Sequence, residues 1–155
     1  MFRPKKKTST GKIRSKKVTI DGITFDSTLE GHMYTLLKEA GIKFTYEGKS
    51  YPLVDKFTYP AECYEKPATG KDKTFKDRRE VRKMIYTPDF IGEQEQWIIE
   101  TKGRANESFP LRWKIFKESM LQRDNPPMLF KPSNQAECRE VVRILKQKGY
   151  GMSQG

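Results

Sequence analysis

The sequence predicts one α/β domain, and three observations carry that expectation. The chain has 155 residues, about the size of one compact unit. Apolar residues recur at helical spacing in three separate stretches. Between them lie short segments that alternate or run apolar, as strands do. The predicted order is helix, strand, strand, strand, helix, strand, helix. Only 35% of the residues are apolar, yet aromatics reach 12%, too many for a disordered chain. A chain this long needs no metal or disulfide staple to fold.

The elements follow in order. Residues 1–17 have no apolar period and are expected to form a basic, disordered arm, with 18–150 as the single domain. Val18 to Phe25 reads as two extended pieces around the Asp21-Gly22 turn. Ser27 and Glu30 stand at capping-box spacing and open a helix, whose buried face is expected from Leu29, Met33, Leu36, Leu37 and Ala40. Gly41 stops it. Ile42, Phe44 and Tyr46 alternate with polar residues, so a half-buried strand follows. Residues 51–65 look extended, with Pro52 and Pro60 as interruptions. Residues 66–80 are polar and basic and are expected to be a loop. Val81 to Ile91 turns β-like, and Gln96 to Lys102 follows as a second strand. Ser108 is placed as the cap of a helix starting near Pro110, with Phe109, Trp113, Phe116 and Met120 on one face. Met128, Leu129 and Phe130 form a short strand. Asn134 caps a last helix striped by Cys138, Val141, Val142 and Leu145, and Gly149 ends it.

Charge and composition narrow the function. The net charge is +11. Residues 1–17 hold eight Lys and Arg and no acid: Arg3, Lys5, Lys6, Lys7, Lys12, Arg14, Lys16 and Lys17. A second run, 66–83, is net +5 and includes Lys73, Lys76, Arg78 and Arg79. The remainder is close to neutral. Two basic segments on a near-neutral body suit a polyanion touched at a few places. Two distant cysteines, Cys63 and Cys138, make no disulfide framework and fit a reducing cytoplasm. With His32 alone, no multi-histidine zinc site can be built. Gly70-Lys71 has Glu65 where a phosphate loop needs its first glycine. No apolar run approaches membrane length, and no signal peptide is visible.

The chemistry is concentrated between Tyr86 and Gly103. Apolar pairs Phe90-Ile91 and Ile98-Ile99 flank a turn centred on Gln94-Glu95. A symmetric hairpin about that turn sets Asp89 opposite Glu100 on one face, with Cβ atoms roughly 4.5–5.5 Å apart. Lys102, two residues on, faces the same way. Two carboxylates and an amine on one face suit Mg²⁺, which takes one or two carboxylates, water and substrate phosphate. Lys102 can orient or deprotonate a water, or neutralise developing charge. The Thr101 carbonyl is a further candidate ligand. The bland alternative is an ordinary salt-bridged hairpin. Glu30 has its own alternative as a helix cap. His32 is expected to be exposed, Trp113 to be core, and Lys114 and Lys117 to meet phosphate or plain solvent. Glu93 and Glu95 belong to the turn and are discounted as ligands. Arg104 is a candidate substrate contact.

Pro88-Asp89 with Glu100-Thr101-Lys102 resembles the two motif halves of the PD-(D/E)XK nuclease superfamily. That family's core of a helix, three strands, a helix and a fourth strand matches residues 27–131, and its first helix commonly adds an acid where Glu30 stands. Val18 to Glu30 (Val-x-x-Asp-Gly-x-x-Phe-Asp-Ser-x-x-Glu) is similar to the start of small phage-encoded members. The layout also resembles endonuclease I-type Holliday-junction resolvases, which are dimers that cut branched DNA. The resemblance implies a restriction-endonuclease-like fold, a central mixed sheet flanked by helices, and Mg²⁺- or Mn²⁺-dependent hydrolysis of DNA. It implies Asp89, Glu100, Glu30 and the Thr101 carbonyl around the metal, Lys102 as the catalytic lysine, and a homodimer in a bacterial host's cytoplasm. Two rivals stand beside it: a non-catalytic nucleic-acid-binding accessory protein on a nuclease-derived fold, and a sequence-specific cleaving subunit for restriction or transposition.

Overall fold

The computed structural model describes residues 15–103 and 108–152. Lys5, Lys6, Lys7, Lys12, Arg14 and Arg104 lie outside the described residues. So does most of the 1–17 arm.

β1 (Val18–Ile20) and β2 (Ile23–Phe25) form a hairpin. Its turn places Asp21 and Gly22 both at positive φ, the mirror-image turn that matches strand twist. α1 (Thr28–Glu39) starts at the Ser27 cap, whose hydroxyl accepts from the Glu30 N–H. β3 (Phe44–Tyr46) follows. The chain then runs out and back through six short strands: β4 (Tyr51–Val54), β5 (Phe57–Thr58), β6 (Tyr64–Glu65), β7 (Lys76–Asp77), β8 (Glu80–Val81) and β9 (Met84–Tyr86). β10 (Phe90–Gly92) and β11 (Trp97–Ile99) flank a 3₁₀ turn over Glu93–Glu95. α2 (Phe109–Met120), β12 (Met128–Phe130) and α3 (Gln135–Gln147) complete the fold.

The central sheet has the order β12-β11-β10-β3. β10 is antiparallel to both β11 and β3, and β12 runs parallel to β11, so the sheet is mixed. Strand alternation divides its side chains between two cores. Phe90, Trp97 and Ile99 join Met33, Tyr34, Leu37 of α1 and Cys138, Val141, Val142, Leu145 of α3. Ile91 and Ile98 join Phe109, Trp113, Phe116 and Met120 of α2. Helices therefore cover both faces, and the predicted stripes of α2 and α3 are the buried ones. No helix among the described residues is long and apolar enough to cross a membrane.

Three expectations need correction. Residues 66–80 are not simply a loop. β4–β9, β5–β8 and β6–β7 are nested antiparallel ladders, so residues 51–86 form one long two-stranded arm with its tip between β6 and β7. The buried face of α1 includes Glu30, Gly31 and Tyr34, while Leu29 and Leu36 are only partly buried. The β1–β2 hairpin lies against α1 so closely that a Cβ on Gly31 would stand 2.7 Å from Val18 Cγ1, which widens the covered face. His32 is half-buried rather than exposed. In addition, Ser108 precedes α2 without capping it through its side chain.

Candidate active site

The β10–β11 register is Phe90↔Ile99 and Ile91↔Ile98, the pairing expected about Gln94-Glu95. Gln94 and Glu95 take the left-handed backbone that closes the turn. The next step outward is Asp89 and Glu100. Both are buried. Asp89 is fixed on its main chain by β3's extension, since its carbonyl accepts from the Glu47 N–H at 2.8 Å. The segment after β11 is held by β12's extension: the Glu100 N–H donates to Phe130 O and the Lys102 N–H to Pro132 O, each at 2.9 Å. Thr101, the alternate residue, turns the other way. Its N–H and hydroxyl donate to Asp89 Oδ2 at 2.8 and 2.7 Å. This tie, with the hydrogen bond from the Asp89 main chain to the Glu100 carboxylate, joins the two strands at the site.

Glu100 and Glu30 each also have a tyrosine partner that sequence reasoning missed. The Tyr86 hydroxyl donates to Glu100 Oε2 at 2.6 Å, and the Tyr46 hydroxyl donates to Glu30 Oε2 at 2.7 Å. Glu30 takes part in the helix start, and its charge is also felt by Asp89 and Glu100. Oε1 accepts from Ser27 Oγ, and Oε2 from the Asp26 N–H, both at 3.3 Å. Only tertiary packing joins these residues, so the sequence carries no spacing signal for them. Tyr86→Phe is expected to lower stability at pH 7 by about 1–3 kcal/mol, the cost of leaving a buried carboxylate short of a donor. Urea titration of the two proteins measures it.

Electrostatically the site is strained toward neutrality. Burial pushes the Asp89 carboxyl up to about 8, and the charges of Glu100 and Glu30 add to the rise. Burial also raises Glu100, against the hydrogen bond from Tyr86 and the charge of Lys102. Glu30 is raised chiefly by burial. Among the described residues none of the three acids has an ion pair within 4 Å. Nor is any group of three or more His, Cys, Asp or Glu there already gathered as a metal cage. The acids are thus neighbours that feel one another's charge, each tethered by neutral donors.

Lys102 stands at the mouth. Its Nζ lies 4.8 Å from the centre of the Phe109 ring of α2. It lines two clefts at once. One is bordered by Tyr86, Glu100 and Arg112, the other by Ser27, Glu30 and Thr101. The discounted turn acids lie elsewhere in the bonding scheme: Glu95 is held by Lys49, Tyr51 and Arg123, and Glu93 pairs with Lys43. Of the cations read as phosphate contacts, Lys76 and Arg78 pair with Asp72, and Arg79 with Asp77 and Glu62. Lys73 donates to Ala68 O, and Lys17 lies 3.5 Å from Asp26. Lys16 is exposed. Exposed pairs of this kind are worth about 0–1 kcal/mol, little enough for phosphate to replace the acid.

The chain belongs to DUF1064, a family described as a protein of unknown function, whose sequence model matches residues 10–127. That span holds Glu30, the whole arm, the Asp89–Lys102 segment and α2. A search of curated proteins and a search of solved structures each gave no match.

Proposed function

We propose that this DUF1064 chain is a metal-dependent DNA endonuclease of the PD-(D/E)XK kind, hydrolysing phosphodiester bonds. One observation carries the reading. Two buried carboxylates, Asp89 and Glu100, end paired strands with no ion pair within 4 Å among the described residues, and a lysine two positions on from Glu100 lines one cleft with Glu100 and another with Glu30. Burying like charges is costly, and a structural hairpin gains nothing from it.

The residues present fit a hard divalent ion. All the donors are oxygens, and Mg²⁺ needs only one or two carboxylates, the rest being water and substrate phosphate. Asp89 and Glu100 would hold Mg²⁺ or Mn²⁺, with Glu30 and the Thr101 carbonyl nearby. Bound there, such an ion polarises a phosphoryl oxygen and acidifies a water. The rest is done by the chain. Tyr86 and Tyr46 fix one oxygen of Glu100 and one of Glu30, so the other oxygens keep their direction. Lys102 positions the attacking water or meets the charge that grows on the phosphoryl oxygens. Lys16, Lys17 and the cations of the arm hold neighbouring phosphates, which predicts salt-sensitive binding.

The test is a cleavage panel on labelled duplex, four-way junction, flap and single strand, with and without Mg²⁺ or Mn²⁺. The expected result is metal-dependent cutting that falls by about 10²–10⁴ in Lys102→Ala, the usual worth of a positioned acid–base group. The reading is wrong if cutting by pure protein is unchanged in Lys102→Ala and in Glu100→Ala. Tight binding without cutting by any form points to the accessory-protein reading.

A further inference from the structure

The outer half of the arm carries an exposed aromatic face that neither the core nor the acid site uses. Phe57 pairs with Val81, and the Tyr59 N–H donates to Arg79 O. Tyr64 pairs with Asp77, and its ring lies 6.1 Å from that of Phe75. On the returning strand Phe75, Asp77, Arg79 and Val81 are alternate residues. Strand alternation then puts Phe57, Tyr59, Tyr64, Phe75 and Val81 on one side of the ribbon. Phe57 is 48% exposed, Tyr59 46%, Tyr64 54%, Phe75 72% and Val81 36%. Lys76, Arg78 and Arg82 alternate with them on the other side, and Lys56 stands one residue before Phe57.

Large exposed aromatics in a row, with cations along the other side of the same ribbon, have few uses. A second copy of this chain is one, but four rings and one valine at these exposures offer only roughly 500 Å², against about 800 Å² per partner in a standard interface. The local excess of Lys and Arg favours a polyanion instead. A duplex hides its base faces inside the stack. An unpaired strand presents them, and every base can stack on an aromatic ring. We propose that this face of the arm takes unpaired bases of a DNA strand, stacked on Tyr59, Tyr64 and Phe75, while lysines and arginines along the ribbon hold the strand's phosphates. The inference rests on the nuclease reading for what the contact is for: it names DNA with an unpaired segment, such as a flap or branch, as the substrate class.

Binding is measured by fluorescence anisotropy in EDTA, where no cutting occurs, on a labelled single strand and on the same sequence as a duplex. Full-length protein is compared with Tyr59→Ala/Tyr64→Ala/Phe75→Ala. The expected result is a loss of at least about tenfold in affinity for the single strand, with the duplex changed by less than about twofold. Tyr59→Phe/Tyr64→Phe/Phe75→Tyr is expected to bind as the parent does. If circular dichroism shows the alanine variant unfolded, Phe75→Ala alone replaces it, with about a fivefold loss expected. An equal loss on both ligands, or no loss on either, overturns the proposal. So does a dimer in sedimentation that the alanine variant abolishes, which would assign the face to a second copy. A chain that shows the single-strand loss but cuts nothing in Mg²⁺ or Mn²⁺ overturns the nuclease reading and leaves the arm's assignment standing. Normal cutting with unaltered single-strand binding does the reverse.

Discussion

Asp89→Asn is expected to abolish metal-dependent cleavage and, in the same protein, to raise the melting temperature of the metal-free chain at pH 8. The two effects share one cause. Asp89 is buried beside Glu100 and Glu30, which holds its carboxyl up to about 8 from an ordinary 3.8. A group whose pKa is raised by folding favours the native state fully below its unfolded value. That contribution is lost as pH rises toward the folded value. For Asp89 the window runs from about pH 4 to about pH 8. Asparagine keeps an oxygen for the two Thr101 donors and never ionises, so its stability does not fall through that window on this account. The variant should match the parent at about pH 4 and exceed it by several degrees at pH 8, at about 2–4 °C per kcal/mol for a chain this size. Divalent metal should raise the parent's melting temperature at pH 8 and leave the variant's unchanged, since binding N alone stabilises it and releases protons. Cleavage should drop by at least about a thousandfold, several kcal/mol of charge stabilisation going with the ligand. A melting difference that is the same at about pH 4 and pH 8 would show that burial and the neighbouring acids do not raise the Asp89 carboxyl, and would remove the physical basis of the site.

That site was legible in the sequence to the extent that main-chain symmetry governs it. Two apolar pairs and a turn fixed the β10–β11 register, and register alone carries Asp89 and Glu100 to adjacent strand ends. The stripes of α2 and α3 were legible because each helix buries one side against one sheet face. What escaped notice depends on contacts that leave no period. Tyr46 reaches Glu30 from β3 and Tyr86 reaches Glu100 from β9, contacts between separate elements. The Thr101 side chain serves Asp89, a tie made beyond the paired residues of β10 and β11. Residues 66–83 read as a loop because an exposed ribbon has no buried face to impose alternation. Its ladders, two residues long, are held by main-chain bonds that any polar sequence can make. Glu30 was readable as a cap or as a site acid; the fold ties it to Ser27 at the helix start and to Tyr46 of β3.

The largest stability loss is expected at Trp97. It lies in β11 with β10 on one side and β12 on the other, fully buried among α1 and α3 side chains. The indole is seated over Gly92 so closely that a Cβ there would fall 2.4 Å from its Nε1. Glycine at position 92 is therefore a packing requirement of the tryptophan. Trp97→Ala removes the largest side chain of the core and leaves a hole that sheet and helices cannot close, at about 3–5 kcal/mol. Against a total of about 5–15 kcal/mol for a typical domain, that takes the protein to the edge of folding at 37 °C. Trp97→Phe separates volume from chemistry. Its Nε1–H is buried and has no hydrogen-bond partner among the described residues, so phenylalanine gives up no bond and sheds a desolvated donor worth about 1–3 kcal/mol. The phenylalanine variant should accordingly lose less than half of what the alanine variant loses, as read by chemical denaturation of both. Equal losses would mean that the indole N–H is satisfied in solution, by a water or a partner residue, and that the tryptophan is held there by polarity as well as by size.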